Sequence, residues 1–251
     1  MIVRPHPTGL LCVGQASHAW ISGQLLRDWG NERFARPEPF DEVCLGAEQH
    51  DVGMAEYDLA PDLDPDTGGP CSFMDMPLAT HLDLWSRAPR RLLTQSPYAA
   101  LLCSMHGHAL YDDDDSLEPD PEDSAAVARF VAEREAFQSD LIARLAEDPA
   151  NAAHNQQVVW AVDFLSLSCF MDWDPESVPA PTRRDADPVE LRVRRDGTTL
   201  HVDPWPFGGP ELTVTAAGRI LEHPQPTKAA LHRALEDAPW VRLSYELRPE
   251  S

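Results

Sequence analysis

The stretch on which the fold depends is Ala47-Glu48-Gln49-His50-Asp51-Val52-Gly53-Met54, with the adjacent pair His50-Asp51 at its centre. Neighbouring residues on a helix point about 100° apart. The two side chains can therefore line one pocket only if that pocket wraps around the helix, as a metal-centred site does. A His-Asp dipeptide is common by chance, so its meaning depends on whether the rest of the chain supplies further ligands.

The composition is that of a globular protein with an acidic surface. The 251 residues are 43% hydrophobic and include seven Trp, which is enough for a sizeable core. The net charge is -22 and Lys228 is the sole lysine, which argues against a nucleic-acid partner because such binding needs a basic surface. The chain has no apolar run of a length that spans a membrane, the N-terminus lacks a signal peptide's apolar core, and the five Cys follow no zinc or disulfide spacing. These features predict a soluble, cytoplasmic protein without a membrane partner.

Periodicity divides the chain into three predicted parts. Residues 1–14 alternate as a β-hairpin, residues 15–174 form a series of amphipathic helices, and residues 188–251 return to strand patterns after a Pro-rich linker. We therefore predict a mainly α fold, an HD-domain-like helical bundle with a small β-rich C-terminal subdomain and an N-terminal β-hairpin.

Three local features of this prediction depend on particular residues. The second helix is predicted to run from Asp41 to Tyr57, so that it includes the His-Asp pair. Asp196-Gly197 and Ala217-Gly218 are each predicted to be the turn of a β-hairpin in the C-terminal part.

Five of the predicted helices place ionisable side chains at apolar positions that face the core. A plain core would carry Leu or Val there, and burial of an unpaired carboxylate is costly. Imidazoles and carboxylates together form a ligand set suited to Fe, Mn, Zn or Ni, and a metal ion offsets the cost of burying the carboxylates. The six predicted metal ligands are His18, His50, Asp51, His81, His106 and Asp163.

The order of these six residues resembles the HD-domain superfamily in the form that binds two metal ions. The resemblance covers residues 15–171. It implies that His18, the His50-Asp51 pair and Asp163 hold one metal. It also implies that Asp51 bridges to a second metal on His81 and His106, which makes Asp51 the expected catalytic residue. The sequences around three of the ligands also resemble an uncharacterised bacterial family of HD-like proteins; they are Gln15-Ala-Ser-His18-Ala, Glu48-Gln-His50-Asp51-Val-Gly53 and Asp163-Phe-Leu-Ser-Leu.

Two branches of the superfamily carry this ligand set. In the di-iron oxygenases, similar to myo-inositol oxygenase, an Fe(II)/Fe(III) pair uses O2 to break a C–H bond of the substrate. In the phosphohydrolases, a metal-activated water attacks phosphorus. Many of the hydrolases and some of the oxygenases use a Lys that the helical part of this chain lacks, whereas the long separation between His106 and Asp163 favours an oxygenase.

The resulting hypothesis is a di-iron oxygenase with two Fe ions, with Mn, Ni or Zn as alternatives, that acts on a small polar substrate. A metal-dependent phosphohydrolase and a non-catalytic binding or regulatory protein stay open. Gln15, Gln49 and His108 are predicted to contact substrate. Arg33 and Arg36 are predicted to lie near the mouth of the site, where bidentate Arg would serve a carboxylate, phosphonate or phosphate. The partners expected are the substrate and O2, and the sequence predicts no oligomeric state.

Overall fold

The structure, a computed structural model, describes residues 1–111, 121–171, 176–183, 186–222 and 224–250. Helices make up 50% of it and strands 22%. The helices are α1 (Gln15–Asp28), α2 (Phe40–Gln49), α3 (Ala55–Leu59), α4 (Leu78–Leu92), α5 (Pro97–Ala109), α6 (Pro121–Leu145), α7 (Pro149–Ser168) and α8 (Lys228–Asp237).

Strands from both ends of the chain form one curled, mixed sheet. Its order among the described residues is β1-β2-β6-β7-β5-β4-β3. Neighbours pair antiparallel except β5 and β7, which are parallel. The strands are β1 (Ile2–His6), β2 (Gly9–Val13), β3 (Glu176–Ala180), β4 (Val189–Asp196), β5 (Thr199–Asp203), β6 (Leu212–Leu221) and β7 (Trp240–Pro249).

The predicted fold class is wrong, because the sheet is not a small appendage to a mainly α bundle. β2 pairs with β6 in the register Leu11 opposite Ile220, which joins the N-terminal hairpin to the C-terminal strands. The combined sheet packs against α1, where the Ser17 hydroxyl donates to the carbonyl oxygen of Ala217 at 2.7 Å and accepts from its N–H at 3.0 Å. Hydrophobic periodicity reports local structure only, so it could not reveal pairing between the two ends of the chain. The division into residues 1–14, 15–174 and 188–251 stays a prediction.

The two predicted hairpin turns have different outcomes. The turn at Asp196-Gly197 is confirmed between β4 and β5, with Gly197 at φ +61°. The turn at Ala217-Gly218 is wrong, because both residues lie inside β6. A Cβ at Gly218 would lie 2.9 Å from Leu11 Cδ1. This glycine therefore permits close approach of β2 rather than a turn. β3 lies within the predicted linker, of which residues 172–175 and 184–185 are outside the described residues.

The predicted second helix is also wrong, because it breaks at the His-Asp pair. α2 ends at Gln49 and is followed by a 3-10 turn over Val52–Met54. Asp51 has φ -97° and ψ 16°, outside the helical region. A Cβ at Gly53 would lie 2.7 Å from Ala88 Cβ, so glycine allows this turn to pack tightly on α4. At the break, both His50 and Asp51 are buried.

The core positions the break against the neighbouring helices. α5 and α7 are central, with most of their residues buried on all sides. α1 packs on α2 and α7, while α2 packs on α5. Each of these helices or its end therefore delivers side chains to one interior point. Among the described residues, no helix combines the length and apolarity needed to cross a bilayer.

Candidate metal centre

Five of the six predicted metal ligands meet beside one cavity, which four of them line and His50 does not, and we call them the inner cluster. His50 Nε2 lies 3.1 Å from Asp163 Oδ1 and 3.7 Å from Asp51 Oδ2. His18 Nε2 lies 2.6 Å from Asp51 Oδ2, and His106 Nε2 lies 3.7 Å from Asp163 Oδ2. All five are buried. The inner cluster is His18, His50, Asp51, His106 and Asp163.

The spacing within the inner cluster fits a bound metal ion. Ligand atoms about 2.1 Å from one ion lie about 3.0–3.4 Å apart in octahedral or tetrahedral geometry, and the separations here span 2.6 to 3.7 Å. Two buried atoms, His50 Nε2 and Asp163 Oδ1, have no hydrogen-bond partner in the part of the chain that the structure describes. Buried polar atoms are normally paired, and these two lie 3.1 Å apart, so that one metal ion could bind both.

Hydrogen bonds behind the cluster fix the orientation of two histidine rings. The hydroxyl of Ser166 donates to the carbonyl oxygen of Asp163 at 2.8 Å, so its oxygen accepts from His18 Nδ1 at 2.9 Å. His50 Nδ1 donates to the carbonyl oxygen of Ala47 at 2.8 Å. Because Nδ1 of each ring is bonded to an oxygen outside the ligand set, Nε2 is the ring atom that faces the cluster, where His18 Nε2 is hydrogen-bonded to Asp51 Oδ2 at 2.6 Å. This is the orientation that a metal-ligating histidine needs.

The charges of the inner cluster are strongly coupled. Burial by itself lowers the pKa of His50, but the carboxylates of Asp163 and Asp51 outweigh it and raise that pKa to about 9. Burial raises the pKa of each carboxyl, yet the neighbouring imidazoles, His50 foremost, leave both pKa values below their usual range. Burial, reinforced by His50, lowers the pKa of His106 to about 4. Two buried carboxylates thus hold His50 in its protonated form, and a metal cation in the place of that proton would supply more charge.

The sixth predicted ligand, His81 on α4, lines the same cavity in a different environment. Its Nε2 accepts a hydrogen bond from Trp85 Nε1 at 3.0 Å, and its Nδ1 is hydrogen-bonded to the Tyr111 hydroxyl. An indole N–H can only donate, so Nε2 is the acceptor and Nδ1 carries the proton. Burial lowers the pKa of His81 and raises the pKa of Tyr111, which keeps both neutral. We call His81, Trp85 and Tyr111 the outer trio.

The cavity above the inner cluster is largely apolar. Its volume is about 310 Å³, at the lower end of the range for small-molecule sites. None of the described residues that line it is Arg or Lys. Gln15 lines it, and the amide oxygen of that side chain is buried without a hydrogen-bond partner among the described residues. The apolar lining comes from Met54, Phe73, Met74, Met76, Leu78, Leu110 and Leu167.

The structure brings only one predicted substrate-binding residue to this cavity. Gln15 lines it beside the inner cluster, whereas Gln49 and His108 are not among its described lining residues. Arg33 and Arg36 are exposed in the segment between α1 and α2, and neither lines the cavity. The substrate-binding role of all five stays a prediction.

Sequence reasoning missed three residues that support the site. Ser166 follows Asp163 by three positions on α7, so helical spacing places both on one face and could have indicated it. Trp85 lies at a buried position of α4, where a Trp is normally a core residue, and it is also a hydrogen-bond donor. Tyr111 lies beyond the end of α5, where periodicity carries no signal.

The comparisons with known proteins give a family and no activity. No curated protein and no solved structure matches the chain. The sequence model of one family, described as a protein of unknown function (DUF3891), matches residues 1–223. That range includes all of the inner cluster and the outer trio, together with strands β1 to β6. The chain therefore belongs to the DUF3891 family.

Proposed function

We propose that this protein is a metal-dependent oxygenase with a pair of iron ions at the floor of the cavity. The observation that carries the proposal is the inner cluster itself, in which buried ligand atoms converge at metal-like spacing. Two of those atoms, His50 Nε2 and Asp163 Oδ1, lack a partner among the described residues. Each unpaired buried polar atom costs stability, and a metal ion bound to both atoms would remove that cost.

The residues divide between the two ions in the order that the HD-domain resemblance implies. His18, His50, Asp51 and Asp163 would hold the first ion. Asp51 would reach the second, which His106 and His81 would complete. When bound, the iron pair would supply one-electron redox chemistry and a binding site for O2, while the same donors suit Mn, Ni or Zn.

The cavity favours an oxygenase over a phosphohydrolase. Phosphoryl transfer needs positive groups around the phosphoryl oxygens, and the described lining contains no Arg or Lys. The side chains above the inner cluster are mostly Met, Leu and Phe. Such a surface suits a neutral substrate with an apolar body and one polar group. The substrate proposed here therefore differs from the small polar substrate expected from the sequence.

The protein's own residues would orient that substrate and keep water out. Tyr111 Oη accepts from His81 Nδ1, so the phenolic proton is free to point into the cavity that Tyr111 lines. The amide of Gln15 offers a second polar contact beside the inner cluster. These two groups would bind the polar end of the substrate, while the apolar lining takes the rest.

The test combines metal analysis, EPR and oxygen consumption on protein reconstituted with iron. We expect two Fe per chain, a coupled Fe(II)/Fe(III) EPR signal after partial reduction, and O2 uptake on addition of a neutral substrate from a panel. Asp163→Asn should remove the signal. His154→Gln, a change at another buried histidine of α7 outside the cavity lining, should keep it.

Other results would identify the alternatives. Cleavage of bis(p-nitrophenyl) phosphate by the Mn or Ni form, without O2 uptake, would favour the phosphohydrolase. A protein that binds none of these metals would refute the metal centre and favour a non-catalytic binding or regulatory role.

A further inference from the structure

We propose that Trp85 competes with the second metal ion for His81 Nε2, so that the centre fills in two unequal steps. This inference rests on the proposed function, because it concerns the second of the two ions. It adds a positioning residue that acts on a metal ligand without touching the metal.

The competing hydrogen bond is well defined. Trp85 follows His81 by four positions on α4, and its Nε1 lies 3.0 Å from His81 Nε2. A neutral imidazole with its proton on Nδ1 has a single lone pair in the ring plane, on Nε2. That lone pair can take either the indole N–H or a metal ion. His81 must therefore give up Trp85 before it can bind the second ion.

Trp85 itself has little freedom to move. Its side chain is 2% exposed. A Cβ at Gly107 would lie 2.5 Å from Trp85 Cε3, so the indole packs directly on the backbone of α5. The ring centroid also lies 5.6 Å from that of His106, a member of the inner cluster. Packing thus fixes the indole in place, and His81 is the side chain that must turn.

When His81 turns to an ion, the indole N–H of Trp85 loses its acceptor in a buried position. The loss of one buried hydrogen bond lowers the affinity for the second ion by about two- to tenfold. Among the ligands of the first ion, His50 Nε2 and Asp163 Oδ1 lack hydrogen-bond partners within the described part of the chain, and His18 Nε2 is hydrogen-bonded to Asp51, itself a ligand of the same ion. The first ion therefore displaces no donor from outside its own ligand set. The two binding steps therefore differ in affinity before any difference in charge is considered.

The test is a calorimetric titration of the apoprotein with Zn²⁺, which suits these ligands and has no redox chemistry. We expect two binding steps in the wild type. Trp85→Phe removes the N–H and keeps an aromatic ring, so the second step should tighten by about two- to tenfold while the first is unchanged. An unchanged or weaker second step in a folded Trp85→Phe variant would overturn the inference.

Trp29→Phe is the matched control. Trp29 is also 2% exposed, and its Nε1 has no hydrogen-bond partner among the described residues. It does not appear among the described residues that line the cavity. This variant should lose comparable packing and leave both zinc affinities at their wild-type values. A change of both variants in parallel would assign the effect to packing and overturn the role of the indole N–H.

A second measurement on the wild-type protein guards against misfolding of the variant. With ¹⁵N-labelled Trp, the indole resonance of Trp85 can be assigned by its contact with the His81 ring. It should move with the second equivalent of Zn²⁺ and not with the first. Movement with the first equivalent, or none at all across two bound ions, would overturn the inference.

The inference and the proposed function fail in different ways. A wild-type protein that binds no Zn²⁺ contradicts the metal centre altogether. Two bound ions with no response of Trp85 contradict only the competition. One bound ion in both the wild type and Trp85→Phe contradicts the competition and leaves a centre with a single metal.

Discussion

The inner cluster and the outer trio, the two halves of the site, each contain a histidine, but Nε2 of the two rings faces different groups. In the inner cluster, His50 Nε2 faces the carboxylate of Asp163 at 3.1 Å without hydrogen-bond geometry. In the outer trio, His81 Nε2 faces the indole N–H of Trp85 at 3.0 Å and is hydrogen-bonded. Both rings have Nδ1 tied to an oxygen, His50 to Ala47 and His81 to Tyr111.

Two histidines whose Nδ1 atoms are both bonded to an oxygen therefore differ in how readily they can bind a metal ion. The difference lies in the group that faces Nε2. Carboxylates favour a cation at Nε2, which is a proton in the metal-free protein and can be exchanged for a metal ion. The indole N–H of Trp85 occupies the lone pair of His81 Nε2, so a metal ion can bind there only after that hydrogen bond is broken.

The largest expected effect comes from Asp51→Asn. The carboxylate of Asp51 would serve both ions, so its loss should reduce the bound metal from two ions to none. The measurement is metal analysis by mass spectrometry after dialysis against a metal buffer. Glu48→Gln is the control, since Glu48 lies on the same stretch but pairs with Arg27 near the surface. An Asp51→Asn protein that retains two ions would show that the two halves do not share this residue.

His81→Gln should separate the halves. It removes the imidazole of the outer trio and leaves the inner cluster intact, so we expect one ion per chain with unchanged affinity for the first. Calorimetric titration with Zn²⁺ measures both quantities. Retention of two ions would show that His81 is no ligand, and loss of both would show that the halves are not independent.

The residues of the inner cluster could be predicted from the sequence, but the fold and the hydrogen bonds around them could not. Ionisable residues at apolar helix positions, such as His18 and Asp163, stand out in a periodic pattern because their burial needs a physical reason. The fold that surrounds them depends on β2 meeting β6 and on a helix break at His50-Asp51, and neither is a local property of the pattern. The hydrogen bond from Trp85 to His81 could not be predicted either, since the sequence pattern does not distinguish such a Trp from an ordinary core residue.

Ser166→Ala tests the support behind the inner cluster. The Ser166 hydroxyl accepts from His18 Nδ1, and loss of such a partner weakens metal binding by about 10- to 100-fold. The affinity for the first zinc ion should fall by that factor. The affinity for the second ion should change only as far as the two sites share Asp51. Ser168→Ala is a matched control, because Ser168 is buried on the same helix and bonds only the carbonyl of Phe164 among the described residues. Equal effects of both changes would assign the loss to α7 as a whole.

The pH dependence should reflect His50. Its pKa is raised to about 9 in the metal-free protein, so a metal ion must displace one proton below that pH. Zinc affinity should therefore rise by about tenfold per pH unit up to about pH 9. The stability that the protonated ring gives the metal-free fold is complete below the unfolded pKa of about 6.5. It is lost as the pH rises through about 9.

Calorimetry in buffers of different ionisation enthalpy measures the released proton directly. His106, whose pKa is lowered to about 4, is neutral over this range and contributes no proton. Binding that is flat between pH 6.5 and 9 would show that His50 is not protonated in the metal-free protein.

The most direct test of the metal centre is anomalous X-ray scattering from crystals of the iron-loaded protein, measured above and below the iron absorption edge. The account predicts one iron peak among His18, His50, Asp51 and Asp163. It predicts a second between Asp51, His106 and His81, with the His81 ring turned away from Trp85. A cavity without an iron peak, with metal bound only at the acidic surface, would contradict it.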